Sequence, residues 1–139
     1  MHVARADSKV ALTTVRALDR LCFPWDTPYR TAGAVWWLAY DADGEPVGYS
    51  GLKWLASQEM WFMCRIGVLP SARGKGLASR LTAVRLRHAA RARPGTQAVT
   101  YCTRDNLASA NNLIRHGFKL YEPEEAYGGP GDLYWSRDV

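Results

Sequence analysis

The sequence contains no apolar run long enough to cross a bilayer. The longest uninterrupted apolar stretch covers residues 34–40, whereas a membrane-spanning helix needs about 20 residues. The first nine residues, MHVARADSK, also lack the apolar stretch of a secretory signal peptide. We therefore expect a cytoplasmic protein without a membrane partner.

Cysteine is scarce, and its spacing argues against structural zinc sites. The three cysteines, Cys22, Cys64 and Cys102, are far apart and form no CxxC pair. An odd number of cysteines without a signal peptide is typical of reduced, mostly buried thiols. The sequence therefore predicts no bound metal.

Internal repeats, low-complexity tracts and linkers between domains are missing as well. A chain of 139 residues is long enough for one domain. Its hydrophobic content of 47% is ordinary for a globular protein and excludes wholesale disorder. We expect a single domain over residues 1–139.

Positive charge, by contrast, is in excess. The 18 lysines and arginines outnumber the 13 acidic residues and give a net charge of +5. A basic balance favours anionic partners such as nucleotides, phosphorylated cofactors or nucleic acid. Seven basic residues lie in one short segment: Arg73, Lys75, Arg80, Arg85, Arg87, Arg91 and Arg93. Either a solvated helix face or a phosphorylated cofactor accounts for this concentration.

The hydrophobic pattern switches between strand and helix periods along the chain. The predicted strands cover residues 3–5, 36–40, 47–52, 60–68, 98–102, 118–121 and 133–136. A first helix begins after Ser8 and ends before Pro24. Its predicted inward side chains are Val10, Leu12, Val15, Leu18 and Leu21. A long helix covers about residues 76–93, and a short one begins at Asn106 or Ser109 and ends at Gly117. This order predicts an α/β domain with a helix-covered sheet.

The segment LPSARGKGLASRL, residues 69–81, joins a predicted strand to the long helix. A helix N-terminus binds phosphate through its unpaired N–H groups and its dipole. Gly74 and Gly76 let a ligand approach the backbone, and Arg73 and Lys75 add charge. The Walker pattern fails because Lys75 is followed by glycine, and the GxGxxG pattern is incomplete. The pattern Arg/Gln-x-x-Gly-x-Gly/Ala is matched by Arg73, Gly76 and Ala78.

Two segments together resemble the GNAT superfamily of N-acyltransferases, which use acetyl-coenzyme A (acetyl-CoA). IGVLPSARGKGLASRLTAVRLRHA is similar to the family's strand, pyrophosphate loop and helix. NLASANNLIRHGF is similar to its Asn-x-x-Ser/Ala helix that closes on Gly-Phe. The resemblance covers nearly the whole chain. It implies a single-domain GNAT fold, with a mixed, mostly antiparallel sheet of six to seven strands flanked by about four helices.

The resemblance also implies where acetyl-CoA binds. Backbone N–H groups of residues 74–78 would hold the pyrophosphate, and the pantetheine arm would lie where the fourth and fifth strands separate. An N–H near Val68 would polarise the thioester carbonyl. The implied cofactor-binding residues are Ile66, Val68, Arg73, Gly74, Lys75, Gly76, Leu77, Ala78, Asn106, Ser109 and Asn112.

Two positions depart from the family's catalytic pattern. In many members a tyrosine on the last short helix protonates the leaving thiolate, and the matching residue here is Leu113. Some members place a glutamate on the fifth strand, where this chain has Tyr101. Positioning of the reactants supplies much of the rate, so a dedicated base is not required. The candidate catalytic residues are Tyr101, as an acid or an acceptor contact, Glu59, as a base through water, and Tyr127.

The acceptor pocket is expected between the segment CFPWDTPYR and the loop at residues 122–132. The candidate acceptor-binding residues are Phe23, Trp25, Asp26, Tyr29 and Tyr134. Aromatic rings and carboxylates together suit a cationic amine. An aromatic lining can equally stack on a nucleobase.

The leading hypothesis is an acetyl-CoA-dependent N-acetyltransferase that acts on a primary amine by direct transfer in a ternary complex. The acceptor is a small molecule, a peptide or, as in GNAT proteins of phages, an amino-bearing modified nucleobase. A non-catalytic acyl-CoA-binding module is the alternative that Leu113 and Tyr101 suggest. A nucleic-acid-binding protein is a third, although no motif of that class is present. Monomer and homodimer both remain open.

Overall fold

A computed structural model describes residues 1–139 as a seven-stranded sheet in the order β1-β2-β3-β4-β5-β7-β6. The strands are β1 (His2–Arg5), β2 (Val35–Tyr40), β3 (Pro46–Leu55), β4 (Met60–Val68), β5 (Gln97–Cys102), β6 (Lys119–Leu120) and β7 (Leu133–Asp138). Only β4 and β5 pair in parallel. The predicted mixed, mostly antiparallel sheet is confirmed.

Three α-helices cover the sheet: α1 (Lys9–Cys22), α2 (Leu77–Ala92) and α3 (Leu107–Arg115). The resemblance implied about four helices; the structure has three α-helices and one short 3-10 turn at Pro70–Ala72. The side chain of Ser8 caps α1, and that of Asn106 caps α3, so Asn106 rather than Ser109 begins the short helix. None of the helices has the length and apolar character that a membrane crossing requires.

The strands bury their two faces in separate hydrophobic clusters, because alternate side chains of a strand point to opposite sides. On one face α1 packs through Val15 and Leu18, and Trp36 and Tyr49 come from the sheet. On the other face α2 packs through Leu77, Leu81 and Leu86, and Trp37, Ala39 and Leu52 come from the sheet. The two clusters hold α1 and α2 on opposite faces of the sheet.

The predicted inward face of α1 is partly wrong. Val10 and Leu21 are 78% and 66% exposed, whereas the buried residues of α1 are Val15, Leu18, Asp19 and Cys22. Val10 and Leu21 lie five and six residues from Val15, so a period of about 3.6 residues turns both away from its face. The buried face of α1 therefore includes Asp19 and Cys22, which the pattern did not assign to it, in place of Val10 and Leu21.

The parallel pair β4 and β5 separates after three residues. Pairing covers only Met60–Phe62 of β4 against residues 97–99, whereas β5 stays paired with β7 along its whole length. Next to this opening, the register between β3 and β4 shifts, and Cys64 and Arg65 together face Gly51 as a β-bulge. The separated strands leave space between them in the middle of the sheet.

Candidate active site

A cavity of about 270 Å³ occupies the opening between β4 and β5. Its wall includes Phe23, Asp26 and Tyr29 on the α1 side of the sheet. It also includes Thr82, Arg85 and Asn112 on the α2 and α3 side. One cavity thus reaches both faces of the sheet, as a site for two reactants requires.

The loop before α2 presents its backbone to solvent. Gly74 and Gly76 have φ angles of +77° and +80°, and space is open around the position that a Cβ would take in each. The N–H groups of residues 74–79 donate to no other backbone carbonyl. Gly76 is the N-cap of α2 and offers no side chain to those groups. The loop can therefore hold an anion through its backbone.

Side chains around this loop tie its first residues to the end of β4 and add positive charge. Arg73 donates from Nε to the carbonyl oxygen of Val68 at 3.1 Å, so its side chain lies back across the end of β4. Lys75 is exposed. Leu77 is buried among core residues, so only its backbone faces the loop. Val68, which pairs with Gly48, stays outside the cavity wall.

The motif helix α3 lies along the cavity on the same side as α2. Asn106, Ser109 and Asn112 all line the cavity, together with Ile66 of β4. The Nδ2 atom of Asn112 donates to Oγ1 of Thr82 at 2.9 Å, which ties α3 to α2. The structure brings these four predicted cofactor residues together at one wall.

The α1 side of the cavity holds an ion-pair cluster around Arg65. Phe23, Asp26 and Tyr29 of this cluster were predicted as acceptor-binding residues, whereas Arg65 and Asp19 were not. The guanidinium of Arg65 lies 3.0 Å from Asp19 and 2.8 Å from Asp26. It also lies over the rings of Phe23, at 4.6 Å, and Tyr29, at 5.2 Å. Two carboxylates around one guanidinium leave this side with a net charge of −1.

Asp19 is the buried centre of that cluster. It accepts hydrogen bonds from the Tyr49 hydroxyl at 2.5 Å and the Tyr29 backbone N–H at 3.0 Å. Burial acts to raise the pKa of Asp19, but these bonds and Arg65 outweigh it and lower the pKa below the usual value. Asp19 is therefore ionised at neutral pH and is a poor proton acceptor.

Tyrosines surround the cavity next to β5 and β7. Tyr101 lines the cavity, and its ring lies 5.6 Å from that of Tyr127 and 6.2 Å from that of Tyr134. Tyr127 and Tyr134 stand behind Tyr101 rather than in the wall. The Tyr127 hydroxyl contacts the Thr100 carbonyl and the Tyr121 hydroxyl, and burial raises its pKa. Among the candidate catalytic residues, only Tyr101 is in the cavity wall.

Two candidates lie away from the cavity. Glu59 is in the turn between β3 and β4 with a φ of +52°, at the far end of β4, near Trp54 and Arg93. Trp25 is 81% exposed and meets the edge of Phe23 from outside. Neither residue reaches the opening between β4 and β5, and no cluster of three or more His, Cys, Asp or Glu side chains is placed to hold a metal.

Two cavity residues that were not predicted, Arg65 and Arg85, are marked in the sequence as charges inside apolar patterns. Arg65 interrupts the otherwise apolar strand MWFMCRIGV. Arg85 occupies α2 four residues from both Leu81 and Ala89, which are fully buried. A charge at such a position is rarely fully buried without a partner. Both arginines line the cavity.

Comparison with known proteins agrees with this geometry. The model of the acetyltransferase (GNAT) family matches residues 11–118. Mycothiol acetyltransferase of Streptomyces griseus subsp. griseus is 36% identical over 110 residues, which cover 78% of this chain and 33% of that protein. Mycothiol acetyltransferase of Gordonia bronchialis is 34% identical over 106 residues, 70% of this chain and 34% of that protein. The chain spans about a third of the length of these curated relatives.

Solved structures share the fold at lower identity. Naa50 of Arabidopsis thaliana, in complex with the bisubstrate analogue CoA-Ac-MVNAL, has a TM-score of 0.78 and 20% identity, with full coverage of both chains. A phosphinothricin acetyltransferase of Sinorhizobium meliloti in complex with acetyl-CoA has a TM-score of 0.72 and 19% identity, covering 99% of this chain and 88% of that one. The family match and the fold agree: the chain belongs to the acetyltransferase (GNAT) family.

Proposed function

We propose that the protein transfers an acetyl group from acetyl-CoA to a primary amine, directly and within a ternary complex. The observation that carries this proposal is the single cavity between β4 and β5, which joins the α2 side to the Arg65 cluster. A donor on one side of the sheet and an acceptor on the other would meet there. Holding two reactants in contact supplies a large part of the barrier reduction in such a transfer.

The residues of the donor side fit coenzyme A. The unpaired N–H groups of residues 74–79 and the positive φ of Gly74 and Gly76 suit a pyrophosphate. Backbone pairing between β4 and β5 stops at Phe62, and side chains occupy the carbonyls of Met63, Cys64 and Thr100. The other backbone groups of the opening are available to the pantetheine amides. Asn106, Ser109 and Asn112 line the same path. Bound there, coenzyme A would supply the activated thioester.

The acceptor side suits an amine that arrives as a cation. The net charge of −1 from Asp19, Asp26 and Arg65 attracts an ammonium group. The rings of Phe23 and Tyr29 already hold the guanidinium of Arg65 and thereby fix the charge cluster in place. Asp26 is the accessible carboxylate, since half of its side chain is exposed. The amine must lose a proton before it attacks, and we assign that proton to water because Asp19 has a lowered pKa.

A modified nucleobase as acceptor has less support in the structure than in the sequence. That hypothesis rested on the basic residues of α2 and on the likeness to small GNAT proteins of phages. Arg87 and Arg91 form a patch with Arg5 beside Trp37, on the sheet face that packs against α2. Asp26 lies on the opposite face, so a polyanion on this patch would not bring its base to the acceptor side.

The test is release of free CoA thiol over a panel of amines. The panel contains cationic small amines, peptides with free N-termini, modified nucleosides and mycothiol lacking its acetyl group. The last is included because the curated relatives are named mycothiol acetyltransferases. We expect amine-dependent thiol release and an acetylated product. Binding of acetyl-CoA without release over the whole panel would instead support a non-catalytic acyl-CoA-binding module, and failure to bind acetyl-CoA would exclude both.

A further inference from the structure

Arg85 is a buried arginine without an acidic partner. It lies in the middle of α2 and is 2% exposed. The two ion pairs of the protein both belong to Arg65, so no carboxylate balances the charge of Arg85. Burial lowers the pKa of Arg85 to about 10. The side chain therefore still carries its positive charge at neutral pH.

The β-bulge explains how this charge is held. Nη1 of Arg85 donates to the carbonyl oxygens of Gly51, at 3.2 Å, and Cys64, at 3.1 Å, which face each other at the bulge. Nε donates to the Leu81 carbonyl, and Nη2 donates to Thr82 Oγ1. Four of the five N–H groups of the guanidinium thus donate hydrogen bonds within the protein. The group is fixed in the cavity wall next to the opening between β4 and β5.

This arrangement lets Arg85 act on a ligand through its charge rather than through paired hydrogen bonds. A carboxylate on a longer acyl chain would need two parallel N–H bonds for bidentate pairing, and Arg85 has only one left. The groups that face it are neutral: Thr82 on α2, Asn112 on α3, and Cys64 and Tyr29, whose pKa values burial raises. The Arg65 cluster lies on the other side of the sheet. An uncompensated charge in a low-dielectric site acts strongly on any negative charge that forms nearby.

We propose that the buried charge of Arg85 stabilises the thiolate of coenzyme A that leaves during transfer; this rests on the proposed acetyl transfer. In that step the amine nitrogen forms the new C–N bond, the C–S bond breaks, and its electron pair stays on sulfur. The proton of the nitrogen passes to water. Leu113, at the cavity wall, has no proton to give. The positive charge of Arg85 stabilises the leaving thiolate, which a tyrosine protonates in many members of the family.

The experiment measures the thiol pKa of coenzyme A bound to the protein, which needs no acceptor. Thiolate absorbance is followed against pH, and the complex with desulfo-CoA, which has hydrogen in place of the thiol, is subtracted to remove the signal of the three cysteines. A positive charge within a few ångströms of a thiol lowers the pKa of that thiol by about one pH unit or more. We expect a shift of that size in the wild type and its loss in Arg85→Gln.

Arg87→Gln is the matched control, because it removes the same charge from an exposed position of α2. It should leave the thiol pKa unchanged. Arg85→Met is a second neutral variant in case Arg85→Gln does not fold. A bound thiol pKa equal to that of free coenzyme A in the wild type, or an equal lowering in a folded neutral variant, overturns the role of Arg85. No binding of coenzyme A to the wild type would instead overturn the proposed function.

Discussion

Arg65 and Arg85 line one cavity from opposite faces of the sheet, and only Arg65 has carboxylate partners. The α1 side therefore carries a net negative charge and the α2 side a positive one. This polarity matches the reaction we propose, because the acceptor arrives as a cation and the leaving group departs as an anion. The β-bulge at Cys64 and Arg65 separates the two environments.

Gly76→Ala tests the loop before α2, with Gly44→Ala as its control. Both glycines have φ near +80° and open space around a Cβ, and Gly44 lies in the turn between β2 and β3. A left-handed alanine costs about 1 kcal/mol or more at either site, so thermal unfolding should shift equally. Calorimetric titration should show acetyl-CoA binding weakened about tenfold in Gly76→Ala alone. Equal affinities in both variants would contradict the loop's assignment.

Asp26→Asn tests the charge of the acceptor side. Asp26 is half exposed and pairs with Arg65, so its loss should leave the fold nearly intact. The local net charge rises from −1 to zero, and we expect a higher KM for cationic amines with an unchanged dissociation constant for acetyl-CoA. Steady-state kinetics over cationic and neutral amines measures the difference. Asp43→Asn, in an exposed turn, is the control variant. An unchanged KM for cations would count against this side as the acceptor site.

Tyr101→Phe tests the one candidate catalytic residue in the cavity wall. We expect its hydroxyl to orient the acceptor, since its ring packs with Phe62, Tyr127 and Tyr134 on the acceptor side. The variant should bind acetyl-CoA normally and lose at least about tenfold in kcat/KM. Tyr127→Phe, which changes a tyrosine behind the wall, should lose less. A rate equal to that of the wild type would remove Tyr101 from the mechanism.

Asp19→Asn tests the buried centre of the ion-pair cluster. Removing one partner of a buried ion pair lowers the free energy of unfolding by about 3 kcal/mol. Here it deprives Arg65 and the Tyr49 hydroxyl of their shared carboxylate. The pKa of Asp19 is lower in the folded state than its usual 3.8. Its stabilisation is therefore complete above that value and is lost as the pH falls through the lower folded pKa.

Urea unfolding between about pH 3 and about pH 7 checks this dependence. The difference in the free energy of unfolding between the wild type and Asp19→Asn should be constant near neutrality and shrink at the acid end. A difference that grows on acidification would show that the folded carboxyl has a raised pKa instead. That result would make Asp19 a candidate base.

The sequence predicted the elements that short-range patterns determine. Strand and helix periods, the Ser8 and Asn106 caps and the glycines of the loop before α2 all depend on residues within a few positions of one another. The family resemblance rests on the same local spacing. These features needed no knowledge of which distant residues meet.

The buried charges of the cavity, Asp19, Arg65 and Arg85, could not be predicted in this way. Asp19 meets Tyr49 and Arg65 across 30 and 46 residues of chain, and Arg85 meets Cys64 across 21. A buried charge is tolerated because of such distant partners, and hydrophobic period alone assigns its position to an apolar residue. Glu59 and Trp25 show the reverse: their residue types suit the chemistry, but their strand end and exposed loop keep them from the cavity.

The most direct test is a crystal structure of the protein with coenzyme A. We expect the pyrophosphate on the backbone N–H groups of residues 74–78, the pantetheine between β4 and β5, and the sulfur in the cavity between Arg85 and Tyr101. Coenzyme A bound elsewhere, such as on the basic patch of Arg5, Arg87 and Arg91, would contradict it.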